Sequence, residues 1–149
     1  MKNFKSFINE TVIKLRRMPP SDGPKKTDAF LDDLHATTQE HPFNPRVRLV
    51  NGNVGVHVSP TSDGKIHIHD IMSYEPNSGA GTKALEHLKS LADKHNVPLE
   101  GIASGYTSEG GRIGSSSRLK KWYTKHGFSA SDGSEDDGYD IHYQPKRQD

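Results

Sequence analysis

Residues 75–99, EPNSGAGTKALEHLKSLADKHNVPL, constrain the fold of this chain more than any other stretch. Apolar side chains recur here at helical spacing and form a single stripe, which consists of Ala84, Leu85, Leu88, Leu91 and Ala92. Glycines stand directly before this predicted helix, and an alternating apolar segment, KIHIHDIMSY, stands before the glycines. The sequence therefore predicts a strand, a tight glycine turn and an amphipathic helix in succession.

Two further strands are predicted before KIHIHDIMSY. RVRLV and VGVHV flank Asn51-Gly52, a pair that favours a two-residue hairpin because both turn positions need a positive φ. In KIHIHDIMSY the strict alternation changes at Ile71-Met72, and such a change indicates a β-bulge. A helix over residues 27–40 is predicted to precede all three strands.

After the amphipathic helix the sequence predicts a short strand, LEGIAS, then a helix, SRLKKWYTKH, and a last strand, YDIHY. Gly127 is a natural stop for the second of these helices, because glycine readily adopts the left-handed conformation found there. The whole order of elements predicts an α/β sheet with helices on both faces.

The composition limits the class of protein. The 149 residues suffice for one domain, but only 30% of them are hydrophobic, so part of the chain is expected to form loops and tails. The absence of cysteine excludes disulfides, a thiolate nucleophile and cysteine-ligated zinc. No apolar run approaches the roughly 20 residues of a membrane-spanning helix, so no membrane partner is expected.

The glycine turn is a candidate anion site. Amides at a helix N-terminus carry a partial positive charge, and glycines at positions 79 and 81 would let a phosphate approach the backbone. The same two glycines are equally consistent with a simple strand-to-helix turn. The segment lacks the Gly-Lys-Ser/Thr of a P-loop and the third spaced glycine of a dinucleotide-binding fold.

Two motifs together resemble the GCN5-related N-acetyltransferase (GNAT) family. That family carries Arg/Gln-x-x-Gly-x-Gly/Ala at the helix start, matched here by Gly79, Ala80 and Gly81. It carries Tyr-x-x-x-Gly-Phe on a later helix, matched here by Tyr123 and Gly127-Phe128. The resemblance covers about residues 27 to 143 and implies a mixed, mostly antiparallel twisted sheet with helices on both faces.

The resemblance also implies an activity, the transfer of an acetyl group from acetyl-CoA to an amine of a small molecule, protein lysine or N-terminus by direct attack. Tyr123 would then be the general acid that protonates the departing thiolate. The residues expected to contact the co-substrate are Ser78, Gly79, Ala80, Gly81, Thr82 and Ser116.

Direct attack also needs a base that takes the proton of the ammonium group. Within the resemblance, the KIHIHDIMSY strand borders the acceptor pocket, and the candidate bases are Asp70, His69, Glu75 and Glu100. Asp70 and His69 lie nearest the expected bulge and are therefore the predicted pair.

Two positions depart from the family pattern. Pro76 stands where Arg or Gln is usual, and Ser116 stands where the family usually carries Asn. The alternative hypothesis is therefore a non-enzymatic internal virion protein that keeps a degenerate acetyltransferase fold.

Histidines on the predicted strands support a third hypothesis. His67 and His69 share a strand face, and His57 and His142 lie on other strands, so a metal-binding β-rich domain is conceivable with a further ligand. Because nine histidines are scattered through the chain, such pairs arise readily by chance. A polar sheet face is favoured, and no metal ligand is predicted.

The first ten residues, MKNFKSFINE, resemble the leader of internal head proteins in tailed phages. Those leaders begin Met-Lys-x-aromatic-x-x-Phe-Ile-x-Glu, and a prohead protease cuts after the Glu of a triplet such as Ile8-Asn9-Glu10. The alternative is an ordinary basic terminus without fixed structure. The resemblance implies location in the virion interior and host cytoplasm if the protein is phage-encoded; otherwise a cytoplasmic location is expected.

These expectations divide the chain into four segments: a cleavable leader at 1–10, a flexible basic linker at 11–26, an N-acetyltransferase-like domain at 27–143 and a tail at 144–149. The linker ends in RRMPPSDGPKK, whose prolines and glycine interrupt helix formation. Nucleic acid is not an expected partner, since cleavage after Glu10 would remove two of the N-terminal lysines.

Overall fold

The computed structural model describes residues 22–74, 79–105 and 114–146, with side chains described from Lys26 onward. Its helices are α1 (Asp22–Thr37), α2 (Ala80–His95) and α3 (Ser116–Lys125). Its strands are β1 (Gln39–Glu40), β2 (Arg48–Val50), β3 (Val54–Pro60), β4 (Ile66–Ser73), β5 (Leu99–Ala103), β6 (Ser129–Ser134) and β7 (Gly138–Tyr143). The predicted leader, most of the predicted linker and the last three residues of the tail lie outside the described residues.

The strands form one seven-stranded sheet in the order β1-β2-β3-β4-β5-β7-β6. The β4–β5 pair is parallel, and the other five neighbouring pairs are antiparallel. The predicted fold class, α/β with a mixed and mostly antiparallel sheet, is confirmed. No helix within the described residues is long and apolar enough to cross a membrane.

The predicted hairpin joins β2 to β3. Asn51 and Gly52 both adopt a positive φ, at 55° and 76°. The paired strand ends are Val50 and Val54, so the loop contains three residues instead of the predicted two. Asn53 is the third loop residue, and its backbone N–H donates to the carbonyl of Val50.

The predicted bulge is present in β4 but at a different position. His57 pairs with Asp70, and the next residue of β3, Val58, pairs with Ile68. His69 is therefore the extra residue, and the prediction at Ile71-Met72 was misplaced along the strand. The adjacent apolar residues Ile71 and Met72 show that apolar side chains occupy both faces of the strand there. The bulge that shifts the alternation lies two residues earlier, at His69.

Helix α1 starts and ends earlier than predicted. It begins at Asp22, so residues 22–26, assigned to the linker, have helical backbone. Pro24 lies in the first turn, where no intrahelical N–H donor is lost. The helix ends at Thr37 because residues 39 and 40 pair with β2 as a short edge strand.

One buried cluster joins the helices to the sheet. It includes Phe30 and Leu34 from α1, Leu85 and Leu88 from α2, Tyr123 from α3, and Ile66, Leu99 and Ile141 from the strands. The three helices therefore share one hydrophobic core, which lies between them and one face of the sheet.

The described helices lie side by side on one face of the sheet, whereas helices on both faces were predicted. Lys94 and His95 of α2 donate to the Asp33 carboxylate of α1 at 2.7 and 2.9 Å. Trp122 of α3 donates its indole N–H to the Thr82 hydroxyl of α2 at 3.3 Å. The reason is topological: β4–α2–β5 and β5–α3–β6 cross the sheet in the same direction, and right-handed crossovers then place both helices on the same face.

Candidate functional site

The parallel strands β4 and β5 part after a short paired stretch. Their register runs from Ile66 opposite Leu99 to Ile68 opposite Gly101 and then stops. Beyond that point β4 pairs with β3, and β5 pairs with β7. A wedge therefore opens at the carboxyl ends of the two parallel strands, which is where open α/β sheets bind ligands.

Gly101 allows the strands to approach closely at the apex of this wedge. A Cβ atom at this position would lie 2.9 Å from the carbonyl oxygen of Ile68, closer than such atoms approach in proteins. The absence of a side chain therefore helps to define where the pairing ends and the wedge begins.

Helix α2 begins beside the carboxyl end of β4. Gly79 is its N-cap residue, has a φ of 80° and provides no side-chain cap. The first intrahelical hydrogen bond runs from Lys83 N to Gly79 O, so the amides of Gly81 and Thr82 precede the helical ladder. The first turn of α2 contains no acidic residue, so no carboxylate within that turn offsets the positive end of the helix dipole.

Described residues leave room around these glycines. Among them, a Cβ atom at Gly79 would meet nothing within 4 Å, and one at Gly81 would meet only Trp122 Cζ2 at 3.9 Å. Ala80 is buried and contributes to the core, while the Thr82 hydroxyl accepts the indole N–H of Trp122. Of the predicted co-substrate contacts, Ser78 lies outside the described residues.

Tyr123 lies on α3 with its ring inside the core. It contacts the rings of Trp122 and Phe128 at centroid distances of 4.9 and 5.1 Å and is 6% exposed. Burial raises the pKa of its hydroxyl well above the ordinary value, and the negative charge of Asp70 raises it further. Within the described part of the chain, no hydrogen bond engages this hydroxyl.

Asp70 lies on β4 just beyond the end of the β4–β5 pairing. It pairs in register with His57, so its side chain shares the sheet face opposite the helices. Its charge nevertheless acts on Tyr123, which belongs to the helical side. The charge of Asp70 thus reaches Tyr123, although the two residues belong to opposite faces of the sheet.

His69, the other predicted base, lies on the outer face of the sheet. Its ring stacks on that of His57 at 4.3 Å, and its Nε2 lies 2.7 Å from the Ser59 hydroxyl. Burial lowers the pKa of His69, as do nearby His57 and His67, so its ring stays neutral near pH 7. Asp70, but not His69, affects the pKa of Tyr123, although the lowered pKa of His69 suits a proton acceptor.

The remaining candidate bases contribute less. Glu100 accepts a hydrogen bond from His67 Nδ1 at 3.1 Å and forms an ion pair with Lys65 at 3.7 Å, so it belongs to a surface network. Glu75 lies outside the described residues.

Ser116, predicted to contact the co-substrate, instead fastens the N-terminus of α3. Its side chain is fully buried, donates to the carbonyl of Glu135 at 2.7 Å and accepts from Gly105 N at 2.9 Å. Because both capacities of the hydroxyl are used inside the protein, Ser116 does not present it to a ligand.

Glu135 is a residue that the sequence motifs did not single out. Its carboxylate accepts the backbone N–H groups of Ser116 and Ser117, at 2.7 and 3.2 Å, and thereby caps α3 from the β6–β7 turn. The Ser116 amide is the main cause of the lowered pKa of Glu135. In the sequence, the signal for this contact was only that Glu135 belongs to an acidic stretch between α3 and the last strand.

The histidines on the outer face do not assemble into a metal centre. His67 and His69 approach at a centroid distance of 4.7 Å, as neighbours on one strand. Among residues 22–74, 79–105 and 114–146, no group of three ligating side chains is arranged to hold a metal ion.

A surface pocket of about 340 Å³ lies between the end of α1 and the residues that link β1 to β2. It is lined by His35, Glu40, His41, Pro42, Phe43, Asn44, Pro45 and Arg48. None of the predicted site residues lines it, so it is not the wedge.

Comparison with known proteins gives fold likeness only. The chain matches no family model, and no curated protein is significantly similar to it. The anti-CRISPR protein AcrVA5 is similar in structure, with 16% identity and a TM-score of 0.47, over 62% of this chain and 90% of that one. Arabidopsis thaliana Naa50, solved with the bisubstrate analogue CoA-Ac-MVNAL, is 15% identical with a TM-score of 0.45, over 80% and 93%.

A third structure is a Corynebacterium glutamicum protein described as histone acetyltransferase HPA2 and related acetyltransferase. It is 16% identical, with a TM-score of 0.40, over 95% of this chain and 86% of that one. These TM-scores lie below 0.5, so the account of function that follows rests on the residues of this chain.

Proposed function

We propose that this protein is an N-acetyltransferase with a GNAT-like fold, which transfers an acetyl group from acetyl-CoA directly to an amine. The observation that carries the proposal is the wedge between β4 and β5, which opens beside the N-terminus of α2 and next to Asp70, whose charge acts on the Tyr123 hydroxyl. The pairing of a phosphate-binding helix start with an acid and a base is what this reaction requires.

The donor would bind in two parts. Its pyrophosphate would accept hydrogen bonds from the amides of Gly81 and Thr82, where the helix dipole favours negative charge and glycine allows close approach. Its pantetheine amides would lie along β4 beyond Ile68, where the strand no longer pairs with β5. The pantetheine arm of acetyl-CoA would thus hydrogen-bond to β4 where β5 no longer does.

Transfer moves three protons. Asp70 first accepts one proton from the ammonium group, and the free amine nitrogen then attacks the thioester carbon. The carbon–sulfur bond breaks as Tyr123 donates its hydroxyl proton to the departing sulfur. The nitrogen loses its second proton as the amide forms, which balances the proton that the Tyr123 oxygen regains through solvent, and Asp70 releases its proton to solvent. The raised pKa of Tyr123 keeps its oxygen protonated before each turnover.

A graded substitution at position 81 tests the donor site. Gly81→Glu places a carboxylate where the pyrophosphate would bind, and we expect it to abolish acetyl-CoA binding measured by titration calorimetry. Gly81→Ala adds only a methyl group, which would make an ordinary contact with Trp122 Cζ2 at 3.9 Å, and should keep a stable helix with weaker binding.

The matched control is Thr124→Glu, which adds the same charge on the exposed side of α3. We expect this variant to bind acetyl-CoA like the wild type. A folded Gly81→Glu protein with unchanged affinity would contradict the proposed donor site.

We further propose that the protein is phage-encoded and packaged in the capsid, on the basis of the triplet Ile8-Asn9-Glu10 in MKNFKSFINE. A prohead protease would then cut after Glu10, and the protein in mature particles would begin at Thr11. Mass spectrometry of virion proteins tests this, and an intact Met1 or Lys2 in particles would contradict it. Packaging in the capsid is also compatible with the alternative hypothesis, a non-enzymatic virion protein. Binding of acetyl-CoA would exclude that alternative.

A further inference from the structure

The sheet face opposite the helices carries exposed apolar side chains on both sides of the wedge. Tyr74, at the end of β4, is 52% exposed, and Ile102, on β5 just past the last β4–β5 pair, is 50% exposed. Phe43, before β2, is 90% exposed. In a chain this polar, large apolar groups left in solvent at one place indicate a binding surface.

Three strands form an apolar floor next to the wedge. Leu49 of β2 pairs with Gly55 of β3, and Gly55 pairs with Met72 of β4, so all three positions share a face. Tyr74 lies over this floor: its hydroxyl oxygen and Cε2 are 3.1 and 3.6 Å from where a Cβ at Gly55 would be. A Cβ at position 55 would also lie 2.9 Å from Cγ1 of buried Val47, so any larger residue there would collide with Val47 and crowd the Tyr74 ring.

The aromatic surface continues away from the wedge. His41 contacts both Tyr74 and Phe43 at centroid distances of 6.2 Å. His41 and Phe43 also line the 340 Å³ pocket, so the floor, the Tyr74 ring and that pocket form a continuous path. We call the surface made by Leu49, Gly55, Met72, Tyr74, His41 and Phe43 the apolar floor.

The distance between Asp70 and the apolar floor indicates how far the apolar group of an acceptor should lie from its amine nitrogen. Asp70 lies opposite His57, and Met72 lies opposite Gly55, so the two pairs are two residues apart along the strands. Two residues of β-strand span roughly 7 Å. An amine held at Asp70 would therefore reach the Tyr74 ring with a group about that far from its nitrogen.

We infer that the acceptor is a primary amine that carries an apolar, preferably aromatic, group roughly 7 Å from its nitrogen. This inference rests on the proposed acetyl transfer. Its ammonium group would face Asp70, and its apolar group would lie against the exposed side of the Tyr74 ring. Ile102 would close the other side of the wedge. Strongly polar amines such as polyamines would leave the apolar floor uncovered and bind poorly.

Steady-state kinetics with three acceptors tests the inference. 2-Phenylethylamine carries the expected group, 1,4-diaminobutane is the polar comparison, and a short peptide that begins with Phe presents the same group on an α-amine. We expect kcat/KM for phenylethylamine or the Phe peptide to exceed that for diaminobutane by at least 10-fold, as pocket complementarity of this kind gives. Which of the two aromatic acceptors is preferred identifies the source of the amine.

Tyr74→Ser should remove most of this preference while leaving the calorimetric affinity for acetyl-CoA unchanged. His142→Ser is the control, since it removes an exposed ring from the same sheet face on β7 and should preserve the preference. Equal kcat/KM for the three acceptors, or a preference that survives Tyr74→Ser, would overturn the inference and leave the acetyltransferase proposal standing. Failure to bind acetyl-CoA would overturn both.

Discussion

Tyr123 and Tyr143 are two buried tyrosines that pack against the same ring, Phe128, at centroid distances of 5.1 and 5.3 Å. Burial raises the pKa of both hydroxyls. Their hydroxyl groups differ: that of Tyr143 donates to Asp93 at 2.8 Å, whereas no described group hydrogen-bonds to that of Tyr123. Burial alone therefore does not separate a structural tyrosine from a chemical one, but the hydrogen-bond partner does.

The surroundings of the two rings extend this contrast. Asp93 also accepts Lys146 N at 2.8 Å, so Tyr143 is part of a contact that ties the end of β7 to α2. The Tyr123 hydroxyl instead feels the charge of Asp70, which lies on β4 where that strand has parted from β5. One tyrosine fastens β7 to α2, and the other is the one that we propose takes part in acetyl transfer.

The largest expected effect is that of Tyr123→Phe. This variant keeps the ring and its packing but removes the proton donor, so we expect kcat for acetyl transfer to fall by on the order of 10²–10⁴. Thermal unfolding should change little, because no described hydrogen bond is lost. Wild-type turnover by a folded Tyr123→Phe protein would make Tyr123 a core residue like Tyr143.

Tyr143→Phe should give the reverse pattern. It removes one partner of the hydrogen bond to Asp93 and should cost about 1 kcal/mol of unfolding free energy. Measured by urea denaturation, this loss should come with a kcat close to that of the wild type. If kcat fell as far as in Tyr123→Phe, the distinction between the two tyrosines would not hold.

The positions that the sequence predicted correctly are those governed by local chemistry. The positive φ values of Asn51 and Gly52 follow from residue type, and the start of α2 follows from the glycines before an apolar stripe. The mostly antiparallel pairing came with the family resemblance. Local signals thus fixed the elements next to the wedge.

The predictions that the structure changed depend on contacts between distant parts of the chain. The role of Ser116 is set by Glu135, which reaches the start of α3 from the β6–β7 turn. The early start of α1 was hidden by Pro24, which breaks a helix interior but is tolerated in a first turn. The environment of the Tyr123 hydroxyl likewise depends on Asp70, from another element.

The smallest expected effect concerns pH and the Glu135 cap of the helix that carries Tyr123. Amide donors hold the pKa of Glu135 below its ordinary value of 4.5, so its contribution to stability is present above that value and is lost as the pH falls through the lowered folded pKa. We expect the thermal midpoint of the wild type to fall more steeply below pH 4.5 than that of Glu135→Gln. Asp136→Asn, which changes an exposed neighbour, should behave like the wild type; identical slopes for all three proteins would show that the cap contributes nothing.

Hydrogen exchange with and without acetyl-CoA tests the central claim most directly, because it locates the donor on the chain. We predict added protection in peptides that cover residues 69–73 of β4 and residues 79–83 at the start of α2, with no change around Tyr143. Absence of protection anywhere, or protection confined to residues 40–45 around the separate pocket, would contradict the assignment of the wedge as the acetyl-CoA site.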